Sequence, residues 1–185
     1  MPRRATLASL LLLATASQAA PIQWTSASGG NDHFYELVFP TAPVSWTDAR
    51  NAAASSSHLG LAGHLATISS LGESEFLRTN YESLLTVQKF ATGDDQDGDF
   101  VWIGMNDAAV EGVYVWITGE PVTFTDWGPF EPNNLGNQDY ALIRVLEDGR
   151  VGGGPTWQWD DNFLLPMSGV DRLGYIVEFE PMPEP

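Results

Sequence analysis

Only two segments of this 185-residue chain carry the marks of a helix start, and both lie in its first half. Ser45-Trp46-Thr47-Asp48 places an N-cap hydroxyl three residues before an acid, and Ser70-Leu71-Gly72-Glu73 repeats the pattern. The first predicts a helix to about Ser55 with Trp46, Ala49, Ala52 and Ala53 on one face; the second predicts a helix to about Leu85. Everything else reads as short strands and turns. Strands are predicted from Asn31 to Phe39, stopped by Pro40 and Pro43, and over His64 to Ile68, Phe100 to Met105, Tyr140 to Ile143 and Leu173 to Phe179. From Glu111 to Trp127 short strands alternate with turns, and from Phe130 to Pro166 the chain reads mostly as loop. So long a loop is functional or disordered, and Trp157, Trp159 and the Tyr140 strand argue against disorder.

The length suits a single domain, spanning about residues 31–180, and no internal repeat is present. A formal charge of −16 makes nucleic acid and anionic membranes poor partners. Such acidity serves either solubility or the binding of cations. There is no cysteine, which excludes disulfides, thiolate metal sites and cysteine nucleophiles.

Residues 1–19 read as a secretory signal peptide, with Arg3 and Arg4, an apolar run from Leu7 to Ala16, and small residues at Ser17 and Ala19 for cleavage after Ala19. The run is too short to span a bilayer, so the mature chain is expected to have no transmembrane segment and to be secreted, extracellular or at the cell surface.

Chemistry concentrates in Glu131-Pro132-Asn133, Gln138-Asp139 and Trp159-Asp160-Asp161. Hard cations such as calcium take six to eight oxygens, and carboxylates with amide carbonyls supply them. Acidic loops of this kind are also commonly just solvated. A second acidic turn, Gly93 to Asp99, offers Asp95, Asp97 and Asp99 to calcium but lacks the acid that completes an EF-hand, so a solvated loop is the favoured reading. His33, His58 and His64 lack transition-metal spacing and read as structural or solvated.

From about Phe34 to Glu178 the sequence resembles the C-type lectin-like domain family. The resemblance is carried in order by Trp46 to Ala53, His64-Leu65-Ala66-Thr67-Ile68, Val101-Trp102-Ile103-Gly104-Met105, Glu131-Pro132-Asn133, Trp159-Asp160-Asp161 and Tyr175-Ile176-Val177-Glu178. It implies an α+β fold, with two helices flanking small antiparallel sheets and a long loop region carrying the ligand site. The family's two disulfides would fall on Ala53 with Val177 and on Tyr140 with Leu164, so packing contacts are expected at both places. Each bridge lost removes about 2–5 kcal/mol, which shifts the ordering of the loops toward bound calcium.

The resemblance further implies a principal calcium ion held by Glu131, Asn133, Gln138, Asp160 and Asp161, completed by two neighbouring sugar hydroxyls. Each hydroxyl then lies between one carboxylate and one amide, Glu131 with Asn133 and Asp160 with Gln138. In the second bracket the acid and the amide are exchanged relative to the family, giving either a reversed working bracket or a decayed site. Glu131-Pro132-Asn133 resembles the mannose-type motif, which implies mannose, glucose, N-acetylglucosamine or fucose as ligand and a cis bond before Pro132. Asp107, Glu111, Asn134 and Asp139 match an auxiliary calcium site, or are ordinary turn acids. Trp127, Trp157 and Trp159 either stack on sugars or pack beneath the loops, and Trp159 is read as core.

The function expected is calcium-dependent carbohydrate binding. The competing readings are a lectin-like module for protein, surface or matrix contacts, and a hydrolase using Glu131 with Asp160 or Asp161, for which no nucleophile motif is visible. No heptads indicate an oligomer. Residues 181–185 form a Pro-rich tail resembling the start of a bacterial Pro-Glu-Pro sorting tag, which suggests a Gram-negative source.

Overall fold

The computed structural model describes residues 17–18, 20–85, 98–145, 157–165 and 172–180. Both helix signals are realised. Helix α1 spans Trp46–Ala54, and the Ser45 hydroxyl accepts the Asp48 N–H at 3.1 Å. Helix α2 spans Leu71–Tyr81, with the Ser70 hydroxyl accepting the Glu73 N–H at 3.2 Å, and a 3-10 turn over Glu82–Leu84 carries it to Leu85.

Among the described residues, ten short strands form one connected sheet. They are β1 (Ser17–Gln18), β2 (Ile22–Gln23), β3 (Phe34–Phe39), β4 (Ser57–His58) and β5 (Leu61–Leu65), then β6 (Asp99–Asn106), β7 (Val115–Trp116), β8 (Tyr140–Val145), β9 (Trp157–Asn162) and β10 (Arg172–Glu180). The main path runs β1-β3-β10-β6-β8-β9. All of its pairings are antiparallel except β10 with β6, where Arg172 lies beside Asp99 and Tyr175 beside Trp102. The expected small antiparallel sheets are therefore joined through one parallel pair, because β10 gives one edge to β3 and divides the other between β6 and β5.

Alternation along the strands sorts side chains into two cores on opposite faces of this sheet. Tyr35, Leu37, Val101, Ile103, Ile143 and Trp159 face Leu77 and Tyr81 of α2. Val38, Phe100, Trp102, Leu142, Tyr175 and Val177 face Trp46, Ala49 and Ala53 of α1. The two helices thus flank the sheet as expected.

Two strand expectations shift. His64 to Ile68 was expected as a strand, but β5 runs over Leu61–Leu65 and the chain leaves the ladder at Ala66. There the Ala66 N–H donates to Ile176 O at 2.9 Å and its carbonyl accepts the Gly104 N–H at 2.8 Å. The crossing is so close that a Cβ on Gly104 would meet Leu65 O at 2.7 Å, which explains the glycine inside the Trp102-Ile103-Gly104-Met105 strand. The expected loop from Phe130 to Pro166 contains not only β8 but also β9, whose six residues are all buried. Its polar half, Gln158 and Asp160 to Asn162, reads as loop until it is paired with β8.

The expected packing pair Ala53 and Val177 lies in one core, with Gly63 between them: a Cβ there would meet Ala53 O at 2.7 Å and Val177 Cγ1 at 2.9 Å. Tyr140 and Leu164 are tied through Trp46, whose N–H donates to Leu164 O at 3.0 Å and whose ring lies 4.9 Å from that of Tyr140. Asp99 opens β6 and is buried rather than lying in a solvated turn. Asp95 and Asp97, the 181–185 tail and most of the 1–19 segment lie outside the described residues; Ser17 and Gln18 pair with Phe39 and Val38. Among the described residues no helix is long and apolar enough to cross a membrane.

Candidate functional site

The β8–β9 hairpin sets the floor of the site. Its register places Asp160 opposite Leu142 and Asp161 opposite Ala141, so the two neighbouring acids leave the strand on opposite faces. Asp161 is fully buried on the face of Trp159. Its two oxygens accept the backbone N–H groups of Asn133 and Asn134 at 2.9 and 2.7 Å, which anchors the Glu131–Gln138 loop to the sheet.

That loop is tightly wound. The Glu131–Pro132 bond is cis, as expected. Of the five non-glycine residues at positive φ among those described, Phe130, Asn134 and Asn137 lie here, alongside Gly136. Asparagine tolerates the left-handed region; a bulky Phe130 at φ 70° is an outlier of the kind that collects at functional sites. Side chains close the loop on itself. Asn133 Nδ2 donates to Glu131 Oε2 at 2.6 Å, and the Leu135 N–H donates to both Asn133 Oδ1 at 2.8 Å and Gln138 Oε1 at 2.9 Å. Asn134 Oδ1 accepts the Gln138 N–H at 2.8 Å.

The result brings oxygens of Glu131, Asp160 and Asp161 within 4.8 Å of one another, one of two such His/Asp/Glu clusters among the described residues. Asn133 and Gln138 stand beside it through the loop bonds just described. Burial and the adjoining Asp160 charge push the Glu131 carboxyl up to about 8, although Arg144 pulls it back. Burial also raises Asp160, against the opposing pull of Arg144. The pair therefore keeps a proton to higher pH than either carboxyl would alone.

Sequence reasoning missed Arg144. Its Nη2 donates to Glu131 Oε1 at 3.0 Å, and its Nη1 pairs with Asp160 Oδ2 at 2.9 Å. The signal was available: a guanidinium in the apolar strand Ala141-Leu142-Ile143-Arg144-Val145 needs a buried counter-charge. Tyr114 was missed as well. Burial and then the charges of Asp161, Asp107 and Glu111 hold its hydroxyl far above the ordinary phenol range, so it lies between the principal acids and the auxiliary ones.

The auxiliary residues are less closely gathered. Asp107 and Asp139 meet through a backbone bond of 3.0 Å, Glu111 is exposed, and these acids do not form a 4.8 Å cluster. Asp107 is nonetheless 1% exposed, and while its Oδ2 accepts the Gly112 N–H at 2.8 Å, its Oδ1 has no partner. A buried carboxylate oxygen without a donor, beside Asp139, can accept a water or a cation. The donor set in both places is all oxygen, which fits calcium and disfavours soft or transition metals. Trp157 and Trp159 are core, at 1% and 0% exposure, with the rings of Trp116, Phe124 and Trp127 edge-on to Trp159 at 5.8 Å.

Comparison with known proteins places the family and the fold. The sequence signature described as the lectin C-type domain matches residues 42–163. The chain is 42% identical over 87 residues to an α-N-acetylgalactosamine-specific lectin of Patiria pectinifera, covering 47% of this chain and 46% of that protein. The matched stretch thus spans about half of that relative. It is 33% identical over 143 residues to lectin BRA-3 of Megabalanus rosa, covering 72% and 73%. Among solved structures it resembles an EPNH mutant of CEL-I, a C-type lectin from Cucumaria echinata, with TM-score 0.57 and 26% identity over 82% of this chain and 92% of that one. Human lithostathine shares the fold alone, with TM-score 0.57 and 16% identity over 98% and 100% of the two chains. The chain belongs to the C-type lectin domain family.

Proposed function

We propose that this protein is an exported, calcium-dependent carbohydrate-binding module. The observation that carries the reading is the clustering of Glu131, Asp160 and Asp161 within 4.8 Å, with a single guanidinium to neutralise them. Glu131, Asn133, Gln138, Asp160 and Asp161 are the residues we assign to the principal calcium, and Asp107, Glu111, Asn134 and Asp139 to a second ion that orders the loops. The unpartnered Asp107 Oδ1 supports the second assignment.

Two vicinal sugar hydroxyls complete the principal ion's shell. Glu131 and Asn133 already sit at hydrogen-bond distance, 2.6 Å, so one hydroxyl can enter between them by exchanging that bond for two. Asp160 and Gln138 form the reversed second bracket. The Glu131-Pro132-Asn133 motif favours mannose, glucose or fucose-type ligands, and the N-acetylgalactosamine specificity of the Patiria lectin makes that sugar the comparison ligand. The protein acts outside the cytoplasm.

These carboxylates suit binding better than hydrolysis. Glycosidases hold their two carboxyl groups about 5 Å or more apart to admit a glycosidic oxygen, whereas Glu131 and Asp160 converge on one guanidinium. A second reading, protein or surface contact, is favoured by Phe130 and Leu135, which stand 89% and 72% exposed at the rim of the site. Mannose-agarose separates the two: the lectin reading predicts retention in calcium and release by EDTA or by free mannose. Passage through the column in calcium, with binding to proteins that sugars do not displace, establishes the second reading.

A further inference from the structure

The guanidinium of Arg144 occupies the position from which a cation would draw the site together. It reaches from β8 with both terminal nitrogens, one on Glu131 Oε1 at 3.0 Å and the other on Asp160 Oδ2 at 2.9 Å. These are two of the three clustered carboxylates; the third, Asp161, is held by backbone N–H groups instead. The side chain is 15% exposed, and the carboxylate side chains it bridges are 7% and 8% exposed, so solvent screens the contacts little. Reaching both acids leaves Arg144 Nε buried and without a partner, and among the described residues the two carboxylates are the charged groups that hold the head.

Calcium would need those same oxygens at about 2.3–2.6 Å. A divalent ion and a guanidinium drawn to the same two largely buried carboxylates repel one another, and the repulsion is strong where water is scarce. One must yield, or the ion binds more weakly. We propose that Arg144 is the internal counter-ion of the site: it holds Glu131 and Asp160 together in the absence of calcium and competes with calcium for them. This deepens the calcium reading and rests on it. Its consequence is a site that stays assembled without metal and loads only at the high calcium levels of an extracellular setting. By linkage, whatever loosens Arg144 must tighten calcium binding by the same factor.

Calcium titration by calorimetry of the full chain and of Arg144→Gln tests this. The expected result is a dissociation constant at least tenfold smaller for Arg144→Gln, while Arg144→Lys, which keeps the charge but loses the two-armed fork, lies between the two. Equal or weaker binding by Arg144→Gln would show that Arg144 supports the ion and overturns the proposal while leaving the calcium reading intact. Absence of calcium binding in every protein overturns the calcium reading and the proposal together. Should Arg144→Gln fail to fold, the Arg144 Nε–H resonance of the unmodified chain decides: calcium saturation must shift it, and an unmoved resonance with calcium bound contradicts the competition.

Discussion

Around Glu178 the chain answers its own acids, whereas around Glu131 and Asp107 it does not. Glu178 Oε1 meets His33 Nδ1 at 2.7 Å, and its Oε2 accepts from Thr67 N at 2.8 Å and Thr67 Oγ1 at 3.0 Å. Glu73 accepts from Ser69 N, Ser69 Oγ and the Tyr35 hydroxyl, and Glu180 sits between His33 and His64. At the other pole, Glu131 and Asp160 share one arginine, Asp161 is held by two backbone N–H groups, and Asp107 Oδ1 has no partner among the described residues. Both regions bury carboxylates, but among the described residues only the second leaves a buried carboxylate oxygen without a donor. In an acidic chain, the count of acids does not reveal where a cation belongs; the count of acids minus internal donors does.

Replacing Asp161 with Ala breaks the comparison most severely. It removes the fully buried acid and strands the Asn133 and Asn134 N–H groups, so calcium affinity measured by calorimetry is expected to fall by more than about 100-fold. Retained affinity would mean that the ion is held elsewhere. Glu178→Ala probes the other pole. Chemical denaturation is expected to show a loss of about 3–5 kcal/mol, because the buried Thr67 N–H and hydroxyl lose their acceptor and His33 loses its Nδ1 partner, with calcium affinity unchanged within about twofold. A fall in calcium affinity matching that of Asp161→Ala would erase the distinction between the clusters.

The two poles are also expected to answer pH in opposite senses. Glu131, pushed up to about 8 by burial and Asp160, must lose its proton to bind an ion. Calcium affinity is therefore expected to rise about tenfold per unit between pH 6 and 8 and to flatten above that. At the Glu178 pole, burial alone would lower His64, but its bond to Glu180 and the nearby carboxylates outweigh this and raise it to about 9. With an unfolded value of about 6.5, its contribution to stability is fully present below pH 6.5 and is lost as pH rises through about 9. In EDTA, the melting temperature is expected to fall by on the order of 10 °C over that window. The fall should vanish in His64→Gln, and its persistence there would assign it to other groups.

The sequence carried much of this in local signals. Both helix starts were legible because a hydroxyl and an acid three residues apart is a short-range signature, and the positions of the main strands were legible in their apolar and aromatic runs. The family resemblance supplied Glu131, Asp160 and Asp161 before any geometry was known, and the structure brings them together. The β9 strand was missed because Asp160, Asp161 and Asn162 are polar yet buried, and only their pairing with β8 explains that. Arg144 was missed for a related reason: its role depends on partners 13 residues back and on the facing strand, distances that no local pattern spans.

Calorimetric titration of the full chain with calcium, alone and in the presence of mannose, tests the central claim most directly. The account predicts micromolar-to-millimolar calcium binding, weakened by protons and strengthened by mannose, because each ligand must favour the other. A titration indistinguishable from the buffer blank, with or without the sugar, would contradict it.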